Sequence, residues 1–182
     1  DANTTGGENT AVGYASLSAA TTAAGNTAMG WGAMINTTTG FANVAVGLSS
    51  LGIQTTGHSN VAIGHATLDA LTTGNSNTAV GQAALSDNTI GVSNVAIGKS
   101  ALTNNTTASN NTAVGQGALF TNTTGTEQTA LGLNTLYSAT TSSFNTALGS
   151  QSLTSVTTGR DNTAVGRAAG LLVTTGVENT FI

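Results

Sequence analysis

The sequence predicts an all-β fold, a parallel β-solenoid of about ten 17-residue coils. The first observation behind this prediction is an uninterrupted period of 17 residues in one glycine. That glycine recurs at Gly13, Gly30, Gly47, Gly64, Gly81, Gly98, Gly115, Gly132, Gly149 and Gly166. The second is that β-branched residues bounded by Asn and Gly are typical of short strands. The third is length, because helical repeats need about 33 to 47 residues for their helices and turns.

A repeat of only 17 residues predicts small coils that stack into a thin rod. At about 3.3 Å per extended residue, 17 residues make a flattened coil of two short strands and two turns. Coils stacked about 4.8 Å apart then give a rod on the order of 50 Å long. We expect one repeat domain over residues 1–182. Because Asp1 falls partway through a repeat and Ile182 precedes the next expected glycine, we expect a fragment of a longer fibrous protein.

Alternation with a period of two assigns the two faces of each strand. Val61 and Ile63 share one face, whereas Asn60 and Ala62 share the other. We predict that the larger aliphatic face is the core, packed against a leucine that recurs four residues after the glycine. The predicted core column is Val12, Met29, Val46, Ile63, Val80, Ile97, Val114, Leu131, Leu148 and Val165.

The opposite strand face predicts self-association. Its central position is alanine in every complete copy, although a solvent-facing strand position would accept larger or charged residues. A column of small side chains suits a surface that another backbone approaches closely. We therefore predict a homotrimer interface, with two-fold pairing as the open alternative. The predicted interface is Ala11, Ala28, Ala45, Ala62, Ala79, Ala96, Ala113, Ala130, Ala147 and Ala164.

Two polar columns predict structural roles. Asparagine opens nearly every copy, with Gln128 as the exception. Stacked amides can bond along the rod and also satisfy the turn backbone. The first threonine of a Thr-Thr pair recurs without exception from Thr4 to Thr174. An ice-binding array of threonines is a minor alternative, because adjacent threonines cannot both project from one face of a strand.

The charge pattern excludes two classes of partner. The net charge is −4, and the cations are Lys99, Arg160 and Arg167. Nucleic acids and anionic membrane surfaces require clustered basic residues, so we expect neither. The apolar run at residues 168–173 is too short to cross a bilayer, so we expect no membrane insertion.

The repeat itself carries a resemblance to known fibrous proteins. The Asn-Val-Ala-Ile-Gly segments at residues 60–64 and 94–98 resemble head repeats of YadA-like trimeric autotransporter adhesins. Residues 157–166 are similar to repeats of bacteriophage tail fibres and related surface proteins. This resemblance covers essentially the whole chain. It implies a homotrimer of left-handed parallel β-rolls, extracellular, at a cell surface or on a virion. The unit is longer than the usual adhesin-head repeat, and Gly170 takes a leucine slot, so adhesin and tail fibre both stay open.

The inventory of ionisable residues predicts no enzyme, no cofactor and no metal site. His58 and His65 lie seven residues apart, but no ladder of Asp, Glu or Cys accompanies them. The carboxylates are scattered along the chain, and there is no phosphate-binding loop or nucleophile elbow.

A ligand contact is expected at the repeat positions whose residue changes from one copy to the next. Tyr14 and Trp31 are neighbours in adjacent coils, as are Phe41 and His58, and His65 follows in the column of Tyr14. Aromatic faces suit sugar rings or protein partners, although self-stacking that covers the coil edges is the favoured explanation. The sequence thus predicts a non-enzymatic fibre segment that displays or spaces a surface for a host glycan or protein receptor. A purely structural shaft, or a subunit of a head-to-tail filament, is the alternative.

Overall fold

A computed structural model describes residues 3–182 as a single stack of coils built on one parallel sheet. Within this range eleven strands pair in chain order, each with the next. The strands are β1 (Thr10–Val12), β2 (Thr27–Met29), β3 (Val44–Val46), β4 (Val61–Ile63), β5 (Thr78–Val80), β6 (Val95–Ile97), β7 (Thr112–Val114), β8 (Thr129–Leu131), β9 (Thr146–Leu148), β10 (Thr163–Val165) and β11 (Thr180–Phe181). No helix occurs among residues 3–182. The predicted all-β parallel solenoid is therefore confirmed.

The register of the sheet equals the sequence period. Ala62 pairs with Ala79, and Ile63 pairs with Val80, so each residue lies beside the residue 17 positions later. Residues spaced by 17 therefore form straight columns along the rod. We number the coils by their strands, so that the first coil contains β1.

Each coil holds one strand, and the prediction of two was wrong. The remainder is turn, although its backbone still bonds from coil to coil, as in Thr38 N–H to Thr55 O at 3.0 Å and Leu51 N–H to Thr67 O at 3.1 Å. Ser49 and Leu51 have φ of 54° and 52°, in the left-handed region. A regular β-strand cannot include these residues, because a φ near +50° lies outside the β region. This alternation recurs in the other coils and replaces the second strand.

The assignment of the two strand faces was also wrong, because the alanine face points inward. Ala62 has 0% exposure, whereas Ile63 retains 40%. The predicted trimer contacts cannot be made by alanines that the chain itself covers. The fully buried members are Ala28, Ala45, Ala62, Ala79, Ala96, Ala113, Ala130, Ala147 and Ala164. Ala11 is exposed, but it lines a cavity of about 170 Å³ inside the first coil together with Leu17 and Ser16.

The narrow interior explains the inward alanines. Leucine at φ near 50° projects into the coil from the turn and is fully buried from Leu51 to Leu153. The alanines and these leucines belong to one buried cluster. A leucine column already fills most of so small a coil, which leaves the strand room only for the smallest side chain. The backbone that approaches the alanines is therefore in the same chain.

Candidate functional site

The buried asparagine column holds each strand in place. Asn60 Nδ2 donates to Asn43 Oδ1 at 3.2 Å and to Gly74 O at 2.9 Å, while Asn60 N–H also donates to Asn43 Oδ1, at 3.0 Å. The same pattern recurs along the rod, which confirms the predicted ladder. Because one amide joins three coils, the outer face of the sheet is displayed on a rigid support.

A second polar ladder, which the sequence did not predict, lies in the middle coils. Asn105 Nδ2 donates to Asn88 Oδ1 at 3.1 Å, and Asn122 Nδ2 donates to Asn105 Oδ1 at 3.1 Å. The column of these asparagines holds Leu71 in the coil before them and Ala139 in the coil after. These asparagines follow the 17-residue period, but their column is asparagine in three coils only, so the ladder is short.

The threonine pairs divide into a bonded and a free column. Thr72 Oγ1 donates to Thr89 O at 3.0 Å, and its column repeats this bond from coil to coil. Thr73 is exposed, and Ile90 replaces threonine in its column. The invariance of the first threonine thus has a structural cause. Only one of each pair of hydroxyls is available to water, as expected from their adjacency.

The outer face of the sheet carries two neighbouring columns of partly exposed side chains. The first strand position is Thr in eight strands and Val in three, and the third is Val, Ile, Leu or Met. We call the two together the outer stripe. It is partly or largely exposed in every complete coil, although it is the face that was expected to be core. At about 4.8 Å per coil it runs on the order of 50 Å. Monomeric proteins seldom leave a continuous apolar surface of that length in water.

Two exposed columns border the outer stripe. The leading column lies two residues before each strand and contains Glu8, Gly25, Ala42, Ser59, Ser76, Ser93, Asn110, Glu127, Phe144, Asp161 and Glu178. The trailing column lies two residues after each strand and contains Tyr14, Trp31, Leu48, His65, Gln82, Lys99, Gln116, Leu133, Ser150 and Arg167. Most of the exposed large hydrophobic side chains belong to the outer stripe or to the trailing column.

Aromatic side chains stack in pairs along three different columns. Tyr14 and Trp31 have ring centroids 6.1 Å apart, and both rings are more than half exposed. Phe41 and His58 stack at 4.5 Å in the column that precedes the leading column. The structure therefore confirms both predicted adjacencies but places the pairs on opposite sides of the outer stripe. A third pair, Phe120 and Tyr137 at 5.0 Å, was not predicted from the sequence.

Charged groups are sparse and do not form a catalytic cluster. Arg160 Nη1 lies 3.2 Å from Asp161 Oδ2, and this is the salt bridge found within residues 3–182. Burial raises the pKa of the Asp69 carboxyl above its usual value of 3.8, and the charge of His65 offsets part of that rise. In the described part of the chain, no group of three His, Cys, Asp or Glu side chains is arranged to hold a metal ion. Between residues 3 and 182 there is also no helix of the length and apolarity that a bilayer crossing needs.

The fold places the chain in the class of parallel β-solenoid repeat proteins. Comparisons with protein-family models, with curated proteins and with solved structures find no match to this chain.

Proposed function

We propose that this chain is a non-enzymatic segment of a trimeric fibre, from a surface adhesin or a phage tail fibre, that displays or spaces a receptor-binding surface outside a cell or on a virion. The observation that carries the proposal is the outer stripe, whose third-position column of Val, Ile, Leu and Met runs the length of the rod and is left partly exposed by its own chain. Burial of such a face is favourable by roughly 25 cal/mol per Å² of apolar surface.

Self-association is the simplest way to cover this face. Every coil presents nearly the same surface, so a second copy in the same orientation presents a matching row of side chains at each level. Cyclic symmetry around an axis parallel to the rods closes such an assembly without leaving a free stripe. Three copies also give a fibre cross-section in which every outer stripe faces the axis, which leaves the remaining sides available for a receptor.

The test is the solution mass of the chain, measured by light scattering with circular dichroism to verify the β structure. We expect a mass near three times the 17.7 kDa of one chain. Ile97→Glu places a charge on the outer stripe and should reduce the mass to that of a monomer. Ile90→Glu is the matched control, because Ile90 is also exposed but lies in the free threonine column. A folded monomer for the unaltered chain would contradict the proposal.

Receptor display has a separate test. Of the side chains expected to contact a ligand, Tyr14, Trp31 and His65 lie in the trailing column beside the outer stripe, whereas the Phe41–His58 pair lies outside both bordering columns and is the candidate contact in a trimer. We expect replacement of Phe41 and His58 by alanine to reduce binding to a glycan array or to target cells, while the trimeric mass and the circular dichroism stay unchanged. If the unaltered trimer binds neither, the chain acts as a shaft that only spaces a receptor-binding part elsewhere.

A further inference from the structure

We propose that the trailing column of one chain packs against the leading column of the next at the same level, and that this pairing holds the chains of the fibre parallel and in register. The inference rests on the proposed self-association and deepens it, because it names the contacts that fix how the copies are aligned. The occupant of the surface is a second copy of this chain.

Symmetry brings the two columns together. Rotation about an axis parallel to the rod leaves the height of every residue unchanged. When outer stripes face such an axis, the side that follows the strands in one chain meets the side that precedes them in its neighbour. Trailing and leading residues of the same coil number are therefore opposed. If two rods packed antiparallel, the trailing column of one would face the trailing column of the other, and leading would face leading. The order of the coils would be reversed between the two rods.

The sizes of the opposed side chains are complementary. Trp31 of the second coil is opposed to Gly25, and Leu48 of the third coil is opposed to Ala42. The relation is reversed in the ninth coil, where the leading column holds Phe144 and the trailing column holds Ser150, its smallest member. The three large side chains, Trp31, Leu48 and Phe144, each remain about half exposed in the single chain.

Backbone conformation alone does not account for this match. The leading column has positive φ throughout, which favours small residues. However, Phe144 occupies it at φ 60° and Glu127 at φ 56°. A large residue is therefore accepted there, and in the ninth coil it coincides with a serine on the opposing side. The first and eighth coils are exceptions, because Glu8 is opposed to Tyr14 and Glu127 is opposed to Leu133.

Charge follows the same relation in the tenth coil. Arg167 has no salt-bridge partner among residues 3–182, and Asp161 of the same coil pairs through one oxygen only, with Arg160. The five residues between Arg167 and Asp161 include strand β10, so the two columns lie on the order of 15 Å apart within one chain. A neighbouring chain at the same height brings its Asp161 to Arg167. In the antiparallel arrangement with all eleven levels overlapping, Glu178 would instead lie against Glu8, which is unfavourable.

Disulfide trapping tests the register, because the chain contains no cysteine. Ser76→Cys combined with Gln82→Cys marks the two columns in the fifth coil, where both residues are exposed. Disulfide formation requires Cβ atoms about 3.5 to 4.5 Å apart. We expect mild oxidation to convert most of this variant into a covalent trimer on a non-reducing gel. Ser93→Cys with Lys99→Cys in the sixth coil should give the same result and guards against a local failure to fold.

The mismatched control is Ser76→Cys with Ser150→Cys, which lie four coils apart in height, or about 19 Å. It should give no covalent trimer. The register proposal is overturned if light scattering shows a trimer but matched pairs fail to link, or if the mismatched pair links equally. A monomer in light scattering would instead contradict the proposed self-association itself, so the two failures are distinguishable.

Discussion

The ring of Phe181 occupies the space that a leucine would fill at Gly170. A Cβ atom built on Gly170 would lie 2.9 Å from Phe181 Cδ2 and 2.7 Å from Leu153 Cδ2. Phe181 stands in the alanine column, pairs with Ala164 across the sheet and packs on the buried core. Glycine thus replaces the large residue of the turn in the tenth coil and phenylalanine replaces the small residue of the strand in the eleventh, so large and small have exchanged places across two adjacent coils. The core is filled in both arrangements.

This exchange predicts strong coupling between the two positions. Gly170→Leu alone should destabilise the rod by about 1 to 3 kcal/mol, because it overpacks the space beside Phe181. Phe181→Ala alone should cost about 1 to 3 kcal/mol, less than a fully buried ring would. The double variant restores the usual leucine and alanine and should be more stable than the sum of the two changes predicts. Urea denaturation followed by circular dichroism measures all four chains, and strict additivity would refute the exchange.

The inward orientation of the alanines predicts the effect of enlarging them. Ala96 is fully buried, so Ala96→Val should overpack the coil and destabilise it by about 1 to 3 kcal/mol. Thr112→Val is the matched control on the outer face of the next strand, where Val95 already occupies the same column. Its effect should stay within about 0.5 kcal/mol. Thermal unfolding at one fixed protein concentration compares them, and a neutral Ala96→Val would mean that the alanines face outward.

The sequence predicted the period, the stacking register and the asparagine ladder because these depend on repetition alone. It did not predict which strand face is buried. Alternation groups Val61 with Ile63 and Asn60 with Ala62, but hydropathy then favours the wrong pair as core. The decisive fact is the volume inside the coil, which depends on a leucine backbone near φ 50°, and no local preference marks leucine for that conformation. The sequence therefore showed the residues of the outer stripe as a repeating pattern, but it did not show that they are exposed.

The asparagine ladder predicts a large cost for removing one amide. Asn94 donates to Asn77 Oδ1 and, at 2.9 Å, to Ala108 O, and its own Oδ1 accepts from Asn111 N–H at 3.0 Å. Asn94→Ala leaves buried backbone groups without partners, at about 1 to 3 kcal/mol each. Ser93→Ala is the control, since Ser93 is the exposed neighbour. Denaturant titration should separate the two variants, and equal midpoints would show that water replaces the amide.

Asp69 predicts a pH dependence of the opposite sign to that of a salt-bridged carboxylate. Its pKa in the folded chain is raised above 3.8, chiefly by burial and against the opposing charge of His65. Between pH 3.8 and the folded pKa, the folded chain binds more protons at this site than the unfolded chain. The contribution of Asp69 to the free energy of unfolding therefore falls as pH rises through that window, and the loss persists at neutral pH.

Replacement of this carboxyl by an amide should remove the penalty. Asp69→Asn is expected to be more stable than the unaltered chain at pH 7, and the difference should shrink as pH falls below about 4. Unfolding midpoints of the two chains across pH 3 to 7 measure this difference. An Asp69→Asn chain that is less stable at pH 7 would mean that the ionised carboxylate is favourably bound in the fold.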